Sequence, residues 1–326
     1  RGYSLRLDRN LPHLHWMMLL RNSRSGIRGF RRASTLSSPR AFSKLQDRTH
    51  EVFNQAFDLE NFNAANDPAL REGLQRNGCM SWGAIGDIDA LGKDCGDPSW
   101  IAKARLANKY PPLLVTHNRT GSRIDCVDYQ PSYHDLMDRG ISAGAAAYAW
   151  KNDGKSGAHV ARGSMLYLMY QLESGVCCPI TMTFASVPAL KATPSIGEKW
   201  IPKVSSGVYD SRNLPMEEKN GCTIGMSMTE KQGGSDVRAN TTFATPVDGN
   251  KDGEGDMFTL VGHKWFTSAP MSDGFLTLAK TDENELSCFL VPRWLPDGTR
   301  NTGFQIMRLK DKMGDKSNAS SEVEYR

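Results

Sequence analysis

From residue 47 to about 221 the apolar positions recur at intervals of three and four, the spacing of one face of an α-helix. The strongest run is Ala158, Ala161, Met165, Leu168, Met169 and Leu172, with Ser156 placed to cap its start. Ser99 to Asn108 reads as a short helix and Tyr133 to Lys151 as an alanine-rich one. Pro179 punctuates the chain before a further helix from Met182 to Leu190, kinked or begun near Pro188. Loops are expected at 66–68, 93–98 and Pro111-Pro112. After Gly221 the period falls to two. Short alternating runs occupy Ile224 to Thr229, Thr241 to Pro246, Met257 to Val261, Gly274 to Lys280, Leu286 to Val291 and Ser321 to Arg326, parted by polar turns at 248–256 and 281–285. The pattern predicts an α+β protein: a helical domain over 47–220, then a small antiparallel β-barrel or sandwich over 221–326.

Charge separates a third segment. Residues 1–46 hold nine arginines and Lys44 against Asp8, so of a net +4 this leader carries +9 and the rest −5. Its arginines and serines are mixed with apolar residues such as Met17, Met18, Leu19 and Phe30. That is the composition of a mitochondrial presequence, the alternative being a disordered basic tail. On the first reading the protein is expected in the mitochondrial matrix, otherwise in the cytoplasm, with 1–46 outside the folded core. The acidic remainder is the opposite of what a phosphate-neutralising surface needs. Seven cysteines form no C-x-x-C pair and read as reduced thiols. The apolar run from Met165 to Leu190 is broken by Gln171, Glu173 and prolines, so no membrane span is expected. His134 and His159 lack metal-ligand spacing, and methionines 165, 169 and 182 read as core filler more than as an acyl pocket.

Two stretches carry candidate chemistry. Ile224 to Asp236 reads Ile-Gly-Met-Ser-Met-Thr-Glu-Lys-Gln-Gly-Gly-Ser-Asp, a strand delivering a hydroxyl to a Gly233-Gly234-Ser235 loop whose amides can approach an anion. Gly262 to Ser268 adds two aromatics and two hydroxyls, suited to covering a flat ring and holding its edge. Each half alone is also the wording of an ordinary surface turn or a core strand, and spacing does not name the cofactor.

Met-Thr-Glu-x-x-x-Gly-Ser-Asp at 228–236 followed by Gly-x-Lys with aromatic and hydroxyl residues at 262–268 resembles the flavin-binding segments of the acyl-CoA dehydrogenase family. The wording at 287–293, at 309–314, at Ser156-Gly157-Ala158, Arg162 and 178–183 is closest to its AidB-like, alkylation-response branch. The resemblance implies an acyl-CoA dehydrogenase-like fold binding FAD, with Met226, Met228 and Thr229 along the flavin edge. It puts Gly233, Gly234 and Ser235 at the pyrophosphate or the neighbouring CoA, Phe266 at the stacking position, and Thr267 and Ser268 as hydroxyls beside it. Met226 stands where an aromatic is common and Lys231 where proline is common. The implied reaction is α,β-dehydrogenation of an acyl-CoA thioester. The alternative is an AidB-like flavoprotein that binds nucleic acid and protects it from alkylation. A third, helical domain with the catalytic base, the subunit interface and any nucleic-acid-binding segment is expected beyond the terminal strand, so the fragment alone is expected to be inactive. A homo-oligomer and an electron-transfer flavoprotein are the implied partners. Glu230 reads as structural, not as the base.

Overall fold

The computed structural model describes residues 2–6 and 59–326, except 250–252 and 282–284. The leader expected over 1–46 therefore lies outside the described residues apart from Gly2–Arg6, as do parts of the turns at 248–256 and 281–285. Gly2–Arg6 itself forms a strand, β1, where the sequence predicts no structure.

Side-chain caps start the helical half. Asp67 accepts from Ala69 N at 2.8 Å to begin α1 (Pro68–Arg76). After α2 (Ala84–Cys95), Asp97 does the same for Ser99 N, at 2.8 Å, at the head of α3 (Pro98–Lys109). Proline at N1 costs nothing in either helix, because the first turn needs no N–H. A hairpin absent from the sequence reading follows, β2 (Leu113–His117) and β3 (Arg123–Asp128).

The single helix expected over 133–151 is two, α4 (Pro131–Ser142) and α5 (Tyr148–Lys151). Gly144, at φ +104°, turns the chain between them, and an added Cβ would meet the Tyr148 ring. The strongest predicted helix is α6 (Ala158–Leu172), but Gly157 occupies its N-cap, while Ser156 Oγ donates to Asn77 O at 3.2 Å. Met165 and Met169 are fully buried, as core filler should be.

The next helix, α7 (Cys177–Lys191), starts five residues ahead of the prediction and runs through both prolines. Pro179 lies in the first turn, where its missing N–H is harmless. Pro188 leaves the Phe184 carbonyl without its intrahelical donor, and Trp150 Nε1 of α5 fills the gap at 3.0 Å. α8 (Pro194–Val204) packs on α7.

The β half contains β4 (Ile224–Ser227), β5 (Phe243–Pro246), β6 (Met257–Ser268), β7 (Gly274–Lys280), β8 (Leu286–Pro292), β9 (Phe304–Leu309) and β10 (Ser320–Tyr325). The order is β1-β8-β7-β5-β6-β10-β9, and β1 also pairs with β6, so the sheet curls until its strands meet. Most pairs are antiparallel, as predicted; β4 and β5 instead run parallel to β7. β6 fuses the predicted strand 257–261 with the motif at 262–268. Its first half pairs with β5 and its second with β10, across a bulge at Trp265 and Phe266, which together face Glu322.

Candidate functional site

The two predicted motif segments meet. Ile224 N donates to Thr183 Oγ1 of α7 at 3.1 Å, anchoring the start of β4 on the helical half. At the other end Trp265 N donates to Thr229 O at 2.7 Å, and Ser227 Oγ shares a 2.5 Å hydrogen bond with Thr267 Oγ1. β4 and the end of β6 thus run side by side, with Met228 alongside Phe266.

Side chains alternate across a strand, so this register sorts them into two faces. Ser227, Thr267 and Thr277 are fully buried and form an internal hydroxyl layer. Thr277 Oγ1 donates to Ser227 O at 2.6 Å, and Tyr325 OH to Thr277 Oγ1 at 3.3 Å. Of the two predicted hydroxyls on β6, that of Thr267 turns inward. Met226, Met228, Phe266 and Ser268 take the other face. The methionines pack half-buried against the Ile224, Leu276 and Leu290 cluster, and Phe266 is 46% exposed. Ser268 Oγ meets Ser320 Oγ at 3.2 Å beside the Cys178 thiol, in the first turn of α7.

The loop after β4 closes tightly. Gly233, at φ +121°, returns its N–H to Glu230 O at 3.0 Å. A Cβ on Gly234 would come within 2.8 Å of Thr229 Oγ1, so a larger residue there would push on that hydroxyl. Ser235 is exposed.

Glu230 holds this loop in place. Its fully buried carboxylate takes Lys264 Nζ at 2.9 Å, Thr241 N at 2.7 Å, Thr242 N at 3.0 Å, both threonine hydroxyls and Gln232 Nε2. Lys264 Nζ also donates to Leu278 O at 2.7 Å. Burial alone would push the Glu230 carboxyl up. The hydrogen bonds from Thr242, Thr241, Gln232 and Lys264 overturn that and hold it well below the usual range. A carboxylate so completely engaged has no lone pair to offer as a base.

Cations that the sequence reading did not assign flank the aromatics. Lys310 Nζ lies 3.1 Å from the Trp265 ring centroid and 4.6 Å from that of Phe266, with Arg308 and Lys231 at 5.6 and 5.7 Å from Trp265. Glu322 restrains Lys310 at 2.7 Å and Arg308 at 2.5 Å. No spacing rule links residues 231, 265, 308 and 310; the sheet brings them together. The result is an apolar face with one open aromatic ring, hydroxyls at its edge, a glycine loop and a positive rim. Such a surface can take a flat conjugated ring with an anionic tail.

This fold and this face define a class. Residues 54–211 match the N-terminal domain of the adaptive response protein AidB, and residues 225–326 the acyl-CoA dehydrogenase middle domain. The chain belongs to the acyl-CoA dehydrogenase family. It is 45% identical to AidB of Escherichia coli (strain K12) over 280 residues, covering 85% of this chain and 50% of that protein. Acyl-CoA dehydrogenase family member 11 of Caenorhabditis elegans is 28% identical over 230 residues, 67% of this chain and 36% of the relative. The chain thus spans half or less of the length of these relatives. Among solved structures, the apo form of Bd2924 aligns at a TM-score of 0.71 and 28% identity, covering 84% of this chain and 54% of its own. Caenorhabditis elegans ACDH-11 in complex with C11-CoA aligns at 0.70 and 24%, covering 87% and 49%.

Proposed function

We propose that this chain forms the first two domains of an FAD-dependent oxidoreductase of acyl-CoA dehydrogenase type, which introduces an α,β double bond into an acyl-CoA thioester. The supporting observation is the single face shared by Met226, Met228, Phe266 and Ser268, with Thr229 and the 233–235 loop at its edge. These residues fit a flavin. Gly234 puts bare backbone beside Thr229 Oγ1, and the half-open Phe266 ring offers a stacking surface. FAD would supply the two-electron acceptor for the dehydrogenation.

The chain's own residues then bind and orient. Phe266 would offer its half-open ring for stacking, Thr229 and Ser268 would supply hydroxyls for hydrogen bonding, and Met226 and Met228 would help exclude water from the site. The amides of Gly233, Gly234 and Ser235, with Lys231 in the same loop, would hold a phosphate-bearing portion. Thr267 acts indirectly, by fixing β6 against Ser227. The base that removes the proton next to the thioester carbonyl is assigned to no residue here, since Glu230 is fully engaged. Mitochondrial localisation, homo-oligomerisation and an electron-transfer flavoprotein partner belong to the same reading, the first from the composition of the leader.

The similarity to AidB supports a second reading, a flavoprotein that protects nucleic acid from alkylation with little dehydrogenase activity. One experiment separates the two. The visible spectrum of the protein, purified with its native C-terminal continuation, is recorded before and after a panel of acyl-CoAs. Flavin bands that bleach with one acyl-CoA establish the dehydrogenase and its chain length. Flavin bands that never bleach leave the protective reading, and no flavin bands at all overturn both.

A further inference from the structure

Consecutive residues of a strand ordinarily point to opposite faces, yet Trp265 and Phe266 meet the same ammonium. Lys310 Nζ, just past the end of β9, lies 3.1 Å from the Trp265 ring centroid and 4.6 Å from that of Phe266. The bulge accounts for this. Both aromatics share one partner position on β10, Glu322, and the extra residue re-aims the pair. The lysine is fixed at both ends: its N–H donates to Ser320 O at 2.7 Å, and its Nζ is held by Glu322 at 2.7 Å. Phe266 nevertheless keeps nearly half its surface open towards the candidate site.

The charges around the two rings do not cancel. Glu322 answers two cations, Lys310 and Arg308. Lys231 adds a third, 5.7 Å from the Trp265 ring, and forms no ion pair among the described residues. Three cations against one carboxylate leave a net +2. Water screens them unequally: the Arg308 side chain is 60% exposed and that of Lys310 only 9%. The charge that lies over both rings is therefore also the one that keeps most of its field.

We propose that Lys310 is a positioning residue acting through Phe266: its fixed charge favours negative charge on a flat ring covering Phe266, and so raises the reduction potential of a flavin held there. The inference rests on the flavin reading above. Two-electron reduction makes such a ring system more negative, and a fixed cation in a poorly hydrated setting lowers the free energy of the more negative state. The cation–π contacts and Glu322 together keep the ammonium from turning away to solvent.

The test is a potentiometric titration of the whole protein, purified with its native C-terminal continuation and loaded with FAD. Lys310→Gln should shift the balance towards oxidised flavin about tenfold, a fall of about 30 mV for a two-electron couple. Glu322→Gln removes a negative charge from the same cluster and should raise the potential, and Lys310→Arg, which keeps the charge, should leave it near the wild-type value. A merely structural role gives a different pattern, because loosened packing weakens both states of the flavin alike and does not reverse sign between the two charge-removing variants. If Lys310→Gln fails to fold, the sign of the Glu322→Gln shift decides. A potential that Lys310→Gln leaves unchanged, or that Glu322→Gln lowers or does not move, overturns the proposal and leaves the flavin reading intact. Protein that takes up no FAD overturns both.

Discussion

At the scale of single residues, the candidate site depends on a carboxylate that takes no part in the proposed chemistry. Glu230 and Lys264 are both fully buried and satisfy each other, so removing either leaves a charge stranded inside the protein. Lys264→Met should destabilise the fold by about 3–5 kcal/mol, measured by urea unfolding. Glu230→Gln should do likewise at neutral pH. The Glu230 carboxyl is depressed below its ordinary value of about 4.5, so its stabilisation is present above that pH and is lost as pH falls through the lower folded value. The stability gap between wild type and Glu230→Gln should therefore narrow below about pH 4.5; a gap that widens would contradict the assignment. The Met-Thr-Glu wording made this residue visible in the sequence, and its place within a turn marked it as structural. Its partners Thr241, Thr242 and Lys264 were not legible, because eleven to thirty-four positions separate them from it.

At the scale of elements, α7 shows how a helix carries a proline through its interior. Pro188 withdraws the donor from Phe184 O, and the Trp150 indole replaces it at 3.0 Å. Phe184 in turn stacks on Trp150 at 4.8 Å. Trp150→Phe keeps much of that stacking and removes the donor, and should cost about 1–3 kcal/mol. In a Pro188→Ala background the helix supplies its own N–H, so the same substitution should cost measurably less. A double-mutant cycle in chemical denaturation reads the difference, and equal costs in both backgrounds would refute the explanation. Proline suggested a kink or a fresh start near 188 because the sequence names the missing donor without naming its replacement. Helical periodicity likewise joined α4 to α5, since alanine favours a helix and only the turn at Gly144 separates them. The β2–β3 hairpin escaped notice for a related reason. Its strands are partly exposed, with a weak apolar alternation, and they owe their place to contacts with the distant β half.

At the scale of the whole molecule, a hub at Asp125 joins the two halves. Its carboxylate faces Arg123 at 2.9 Å and Arg300 at 3.2 Å, and its carbonyl accepts from Arg293 Nη2 at 3.2 Å. Arg293 Nη1 also donates to Pro270 O at 2.6 Å, Arg300 Nη1 to Arg123 O at 2.7 Å, and Arg123 Nη2 to Ile306 O at 2.8 Å. Asp125 is 1% exposed, so Asp125→Asn leaves Arg123 and Arg300 short of a buried counter-charge. The variant should lose several kcal/mol and unfold in two calorimetric steps where the wild type shows one. A single transition at the original temperature would show that the hub does not couple the halves. The sequence by itself determined the change from helical to strand periodicity near residue 221, the α+β class and the two motif segments, because these follow from local spacing and residue chemistry. Tertiary structure alone decided which hydroxyl of β6 turns inward, which cations gather round Trp265 and how α7 tolerates Pro188. Each of those depends on strand register or on a contact between distant positions, and such contacts leave no period in the chain.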